Sequence, residues 1–305
     1  MDFLYFILGS VFIFFGSTFL INNSTLIARS LRISPLIIGL TIIAFGTSLP
    51  ELVVGIMASI RSEGAIVIGS VVGSNIANVF LVLSIILLFK PIKVEIDSIK
   101  QGLAYLFIAT MIVCVLLGYQ LLHFISGIAL LCLFCLYIAH QLKAENRLKE
   151  NDNSQFEEFN IKYVTYIIFG IILLGFGSEL FINSSIAIAI FFNVPKIVIS
   201  VSLVAFGTSV PELVTSIIAI RRNEPNFVIG NLLGSNIINI FLVLGSSLVI
   251  NDISIEFNSI YFPYLFLIIS SSLFFLILVF QNLLHKVHAL IFLLLYALFI
   301  YLTLL

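Results

Sequence analysis

Charge is what this chain has least of. Only 10% of its 305 residues are Asp, Glu, Lys or Arg, against roughly 25% in an ordinary soluble domain. A further 61% are hydrophobic and the mean hydropathy is +1.24, which excludes a soluble globular fold of ordinary composition. Cysteine is scarce too. Cys114, Cys132 and Cys135 all lie inside apolar runs, so no disulfide framework is expected. Cys132 and Cys135 have C-x-x-C spacing, but within a lipid-spanning helix such residues read as small hydrophobes. The four histidines, His123, His140, His285 and His288, fall at the ends of apolar runs and read as interfacial. No G-x-S-x-G elbow, no H-E-x-x-H and no paired catalytic histidine occurs, which argues against a membrane enzyme.

What is present is apolar sequence in lengths that cross a bilayer. A helix needs about twenty residues to span roughly 30 Å of hydrocarbon, and the runs predict ten spans: Phe3–Ile27, Pro35–Ile60, Ala65–Phe89, Gln101–Tyr119, Phe124–Gln141, Tyr163–Phe191, Ile197–Ile220, Asn226–Ile250, Ile260–Phe280 and Val287–Leu305. The first follows Met1-Asp2-Phe3 without a basic n-region or a small-residue cleavage site, so it is expected to be a retained helix rather than a signal peptide. With the N-terminus outside, the inner face receives all Lys and Arg residues except Arg61 and Lys196, a strong positive-inside bias. An even number of spans then puts both termini outside, in a multi-pass protein of the cell (plasma or inner) membrane.

The chain repeats itself. At an offset of 161, Gly16 matches Gly177, Asn22 matches Asn183, Glu51 matches Glu212, Gly69 matches Gly230 and Asn78 matches Asn239, with no gap from Gly16 to Ser84. Five spans per repeat is an odd number, so the second half enters the membrane from the opposite side. The expected fold is therefore an all-α membrane protein of ten transmembrane helices in two inverted-topology five-helix repeats: residues 1–141, a short cytoplasmic linker at 142–162, and residues 163–305. The linker's Asp152, Glu157 and Glu158 lack the spacing of a calcium loop and read as solvated charge. Spans four, five, nine and ten are rich in Leu, Ile and Phe and read as packing and lipid-facing helices. Glu179, whose counterpart is Thr18, is expected to be a satisfied polar residue within the bundle.

The chemistry concentrates in AFGTSLPE, Ala44 to Glu51, which returns as AFGTSVPE, Ala205 to Glu212. A carboxylate at membrane depth is costly and marks function by default. Ala44, Thr47, Ser48 and Glu51 stand at i, i+3, i+4 and i+7, one face of a helix, as do Ala205, Thr208, Ser209 and Glu212. Pro50 and Pro211 each remove a donor from the carbonyl four residues earlier, so the helix should open before the acid and free carbonyls around Ala44 to Gly46 and Ala205 to Gly207. The next spans bring GSVVGSNIAN and GNLLGSNIIN. There Ser74 and Asn78, and Ser235 and Asn239, pair a hydroxyl with an amide one turn apart. Gly69 and Gly73, with Gly230 and Gly234, form small-xxx-small patterns suited to close helix packing.

Together these groups describe a midplane pocket of oxygen donors without thiolate or imidazole. Such a donor set suits Ca²⁺, which takes about six to eight oxygens, and Na⁺; zinc or copper would recruit His or Cys. Two carboxylates balance one Ca²⁺ or two Na⁺, and when the pocket is empty protons compete for the pair. If the two ions need the same oxygens and an empty charged pocket is too costly to move, access changes only when the site is loaded, which makes an exchanger. The first and sixth spans, with their glycines and polar patches, are the expected moving parts. A channel usually takes its pore from oligomeric symmetry, whereas here both halves lie in one chain.

At these residues the sequence resembles the cation/Ca²⁺ exchanger superfamily, in particular the prokaryotic Na⁺/Ca²⁺ exchangers. The motifs G-T-S-x-P-E and G-S-N-I-x-N stand at Gly46–Glu51, Gly73–Asn78, Gly207–Glu212 and Gly234–Asn239. The resemblance implies ten helices in two inverted halves and an antiporter that exchanges Na⁺ for Ca²⁺, normally extruding Ca²⁺, with Ca²⁺(cation)/H⁺ exchange by the same pocket as the alternative. It implies metal ligands at Ala44, Thr47, Ser48, Glu51, Ser74 and Asn78, and at Ala205, Thr208, Ser209, Glu212, Ser235 and Asn239. The Ca²⁺/H⁺ branch typically shows G-N-x-x-E in place of G-T-S-x-P-E, so this chain looks like the sodium branch. Many members carry Asp where this chain has Asn239. Ser70 opposite Asn231 is a lesser departure, and the large cytoplasmic Ca²⁺-sensing domains of animal exchangers have no counterpart. The expected partners are the transported ions and the lipid bilayer, with no cofactor, no nucleic acid and no obligatory protein partner.

Overall fold

With no water in hydrocarbon to satisfy main-chain groups, long apolar runs must close their own hydrogen bonds, and here they do so as helices. The structure is a computed structural model that describes residues 2–31, 33–94, 96–148, 159–191, 205–255, 257–281 and 283–304. The start of the seventh predicted span, with Arg32, Lys149, Lys196 and the linker acids Asp152, Glu157 and Glu158, lies outside the described residues.

In chain order the elements are α1 (Asp2–Leu31), α2 (Pro35–Thr47), α3 (Leu49–Ile60), α4 (Gly64–Phe89), β1 (Ile92–Lys93), α5 (Ile96–Gly118), α6 (Phe124–Leu148), α7 (Ile161–Phe191), α8 (Ala205–Thr208), α9 (Val210–Arg221), α10 (Pro225–Ile250), α11 (Phe257–Phe280), β2 (Leu283–Leu284) and α12 (Lys286–Leu304). Among the described residues eight helices are long and apolar enough to cross a membrane, and α2 with α3, bent by 47° at their break, form a ninth span if taken together. The α6 helix runs beyond the predicted end at Gln141 to Leu148. Its Lys, Ala, Glu and Arg residues there are good helix formers and continue the turn once the apolar run stops.

The helices α4 and α10 are the most deeply buried and form the centre. Around them α1, α7 and α12 turn large apolar side chains outward, with Phe176 62% and Leu294 71% exposed, as suits a surface solvated by lipid tails. α1 and α7 lie against each other and run antiparallel. A Cβ on Gly9 would stand 2.8 Å from the Gly177 oxygen, and one on Gly16 would stand 2.8 Å from the Gly170 oxygen, so main chain meets main chain at both levels. These contacts exchange under the offset of 161.

The same relation recurs elsewhere. The turns before α4 and α10 each pivot on a left-handed residue, Ser62 (φ 60°) and Asn223 (φ 59°). Lys90, just past α4, donates to Asn223 Oδ1 at 2.6 Å, and Asn251, just past α10, donates to Ser62 Oγ at 2.9 Å. β1 pairs antiparallel with β2, Ile92 opposite Leu284, while Ile253, 161 residues after Ile92, donates its N–H to the Leu122 oxygen at 2.8 Å.

Among the described residues three stretches of helix are wound as π turns: Gly39–Ile43 in α2, Asn78–Val82 in α4 and Asn239–Leu244 in α10. In the first, the Leu40 carbonyl accepts a hydrogen bond from Tyr137 Oη at 2.8 Å. Tyr137, in a span read as featureless, is fully buried against this turn. Tyr137→Phe is expected to lower stability by about 1 kcal/mol, because a buried carbonyl loses its donor. A thermal unfolding midpoint in detergent equal to that of the wild type would show that the bond contributes nothing.

Candidate functional site

The acids lie where their helices break. In the first copy α2 ends at Thr47, Ser48 adopts φ −84° and ψ 7°, and α3 restarts with Pro50 in its first turn and Glu51 behind it. The second copy does the same around Ser209, with φ −86° and ψ 1°. Pro50 and Pro211 have no N–H to give to Gly46 and Gly207, so the ladder is interrupted ahead of each glutamate. One expectation is corrected here. The Ala44 carbonyl is not freed from the helix in this arrangement, since it accepts the Ser48 N–H at 3.0 Å and lies 3.3 Å from the Thr47 hydroxyl; the proline deprives only the carbonyl four residues back, so Ala44 has only the second lone pair of a hydrogen-bonded oxygen to offer an ion.

Glu51 and Glu212 come together in the centre of the molecule, both fully buried and close enough to interact electrostatically. Around them Thr47, Ser48, Ser74, Asn78, Thr208, Ser209, Ser235 and Asn239 are each no more than 1% exposed. Hydroxyls link the two copies crosswise. Thr47 Oγ1 lies 3.3 Å from Ser235 Oγ, and Ser74 Oγ lies 3.1 Å from Thr208 Oγ1. Ser48 and Ser235 donate to Glu212 Oε1 at 3.4 and 3.3 Å. Ala205 opens α8, the short helix that ends at Thr208.

The decisive feature is what these groups do not bond. Oε2 of Glu212, Oδ1 of Asn78 and of Asn239, and both oxygens of Glu51 are buried with no donor in good hydrogen-bonding geometry, although the Ser74 and Thr208 hydroxyls interact with the Glu51 carboxylate. Buried polar atoms are nearly always paired, and carboxylate oxygens left bare at depth are especially costly. Five such acceptors lie in one cluster with no cationic side chain among them, a donor set of the kind that cations rather than anions satisfy. Among the described residues no three His, Cys, Asp or Glu side chains gather to hold a metal, so the donors are mixed hard oxygens, which suit alkali and alkaline-earth ions rather than zinc or copper.

A model of the family described as sodium/calcium exchanger protein matches residues 1–143 and 162–305. The chain belongs to that family. It is accordingly a multi-pass membrane cation exchanger. Its relatives include an uncharacterised membrane protein of Methanocaldococcus jannaschii, 36% identical over 77% of this chain and 78% of that protein. The sodium/calcium exchanger MaX1 of Methanosarcina acetivorans is 32% identical over 86% of this chain and 87% of that protein. A solved structure of the sodium/calcium exchanger from Methanococcus jannaschii superposes with a TM-score of 0.83 at 31% identity, covering 98% of this chain and 97% of that one.

Other residues of the exchanger escaped the sequence reading. Asn75 and Asn236 sit beside the site serines and bond the amides of Asn239 and Asn78, at 3.1 and 3.0 Å. Their signal was visible as the first Asn of each G-S-N-I-x-N motif, but helix spacing alone put them off the Ser–Asn face. Asn231, noted only as a departure from Ser70, holds Thr47 with its Oδ1 at 3.0 Å from the threonine Oγ1. Thr215 donates to Ser17 at 3.0 Å and ties α9 to α1. Glu179 is a correction: it lies exposed on α7 rather than satisfied within the bundle, because its face of the helix turns away from α1. At the other end of α1 a cleft of about 420 Å³ is lined by Asn22, Thr25, Leu26, Arg29, Arg222 and Glu224, with Glu224 in the field of Arg29. Burial raises the Glu224 carboxyl above its ordinary value and Arg29 opposes that rise.

Proposed function

We propose that the exchanger carries Na⁺ against Ca²⁺ by alternating access, normally extruding Ca²⁺ from the cell, through a site made of Ala44, Thr47, Ser48, Glu51, Ser74 and Asn78 with Ala205, Thr208, Ser209, Glu212, Ser235 and Asn239. The observation that carries the reading is the buried pair Glu51 and Glu212 among uncapped amide oxygens. Two negative charges balance one Ca²⁺ or two Na⁺. Each ion would use the same oxygens, so one must leave before the other binds, and an unloaded pair of buried carboxylates is a poor cargo for a conformational change. MaX1, over most of both chains, is named for this exchange.

The same proposal takes the chain as ten transmembrane helices in two inverted five-helix repeats, residues 1–141 and 163–305 about a cytoplasmic linker, in the cell membrane with both termini outside. Support comes from the antiparallel seating of α1 on α7 and from contacts that recur at the offset of 161. That seam of glycines seats α1 tightly on α7, so the two would move as one unit relative to the core. No resident cofactor is invoked; the ions are substrates.

A second reading, exchange of Ca²⁺ for H⁺ by the same pocket, draws on the burial of the Glu51 carboxylate, whose oxygens a proton can occupy in place of a metal. Radiocalcium uptake into proteoliposomes separates the two. Uptake is expected when vesicles are loaded with Na⁺ and diluted into Na⁺-free medium, and none with K⁺ loading. Calcium movement driven by a pH gradient and indifferent to Na⁺ would overturn the Na⁺ reading in favour of H⁺. Flux without any counter-ion would overturn exchange itself.

A further inference from the structure

Asn75 and Asn236 are 2% and 1% exposed and lie between the two copies of the site. Asn75 Nδ2 donates to the main-chain oxygen of Asn236 at 3.2 Å. A main-chain carbonyl can only accept, so the NH₂ of Asn75 must face it and the Oδ1 must face the other way. On that other side Asn75 Oδ1 accepts from Asn239 Nδ2 at 3.1 Å. The orientation of Asn239 is settled in turn. Its NH₂ is spent on Asn75, and its Oδ1 is left buried with no protein donor.

The matching half of the site has no such anchor. Asn78 Nδ2 donates to Asn236 Oδ1 at 3.0 Å, but Asn236 Nδ2 is buried and bonds nothing. Turning both of those amides over would leave the count of hydrogen bonds unchanged. The lock therefore exists on the Asn239 side alone.

We propose that Asn75 is a positioning residue that fixes Asn239 as an oxygen donor to the transported cation. The two ends of an amide are nearly the same shape and opposite in polarity, so an unlocked Asn239 would present NH₂ to the ion as readily as oxygen. The main chain of Asn236 orients Asn75, and Asn75 orients Asn239. A carboxylate at position 239 has no amide to orient, and while ionised it would meet the Asn75 Oδ1 acceptor against acceptor. The proposal rests on the reading of Asn239 as an ion ligand.

The test is a cycle on the full chain in proteoliposomes, with the KM for Ca²⁺ in Na⁺-driven uptake as readout. Asn75→Leu is expected to raise that KM by about tenfold, the order of one well-placed hydrogen bond to a charged group. In a chain that also carries Asn239→Asp, Asn75→Leu is expected to leave the KM within about threefold or to lower it, since no amide remains to be oriented and the acceptor facing the carboxylate is gone. Equal losses in the two backgrounds would overturn the proposal, because Asn75 would then act through packing. Asn75→Ala serves the same comparison where the leucine does not fold. Asn239→Leu keeps the two claims apart: an unchanged KM there removes Asn239 as a ligand, whereas a raised KM with Asn75→Leu silent removes only the lock.

Discussion

Glu51→Gln and Glu212→Gln should each abolish Ca²⁺ transport. Glutamine keeps the volume and one oxygen but removes a charge and turns an NH₂ toward a cation. With one carboxylate left, a bound Ca²⁺ carries an uncompensated positive charge in a site from which water is excluded. At an effective dielectric near 20, a lost pairing at ~4 Å amounts to about 4 kcal/mol, or a fall in affinity on the order of a thousandfold. The fold is expected to tolerate both changes, since removing one acid relieves a repulsion between Glu51 and Glu212 that exists in the unloaded site. Radiocalcium uptake and a thermal midpoint on the same preparations decide the matter. Exchange at the wild-type rate in both variants would remove these glutamates from the mechanism, and a collapsed midpoint would make their role structural.

Gly230→Ala is expected to be the most damaging single-methyl change in the core, and Gly69→Ala close to neutral. The two glycines hold equivalent places in the repeat, yet a Cβ on Gly230 would stand 2.5 Å from the Leu36 oxygen and 2.9 Å from Gly39 Cα, whereas one on Gly69 meets nothing within 4 Å. Leu36 and Gly39 offer main chain, which cannot rotate out of the way, so α10 must separate from α2 or both must bend. Overpacking of this kind costs roughly 1–3 kcal/mol and more against rigid backbone. At Gly69 the methyl instead adds helix propensity of up to about 1 kcal/mol. The consequence reaches the site, because the same close approach continues at Gly234, where a Cβ would stand 2.6 Å from the Ala44 Cβ and 2.6 Å from the Leu40 oxygen, next to Thr47 and Ser235. Detergent melting curves that shift equally for the two variants would refute the distinction; a lower midpoint and slower exchange for Gly230→Ala alone would support it.

Much of the site could be read along the chain. The intramembrane acids, their prolines and the hydroxyl and amide spacing are local patterns, and a helix converts such patterns directly into a face. The breaks at Ser48 and Ser209 follow from Pro50 and Pro211 by simple loss of a donor. Less legible were the π turns of α4 and α10, which begin at Asn78 and Asn239 without any breaker residue, and Tyr137, whose partner carbonyl on Leu40 lies 97 positions away. Glu179 misled for a related reason. Its polarity demanded a partner within the bundle, but which face of α7 meets α1 is decided by Gly170 and Gly177, not by the acid.

By itself the sequence determined the solvent, the helical class, the period of the repeat and the oxygen-only character of the proposed site. These rest on composition, on hydrophobic run length and on the chemistry of donor atoms, and all three survive in one dimension. Only the tertiary structure decided which of two equivalent glycines is a close contact, which amide presents oxygen, and which carbonyls are already spent. Those outcomes depend on what a second helix brings alongside. A repeat makes the two halves equal on paper, but the contacts across their interface are made between residues roughly 160 positions apart, as when Asn75 meets Asn236, and there the equality ends.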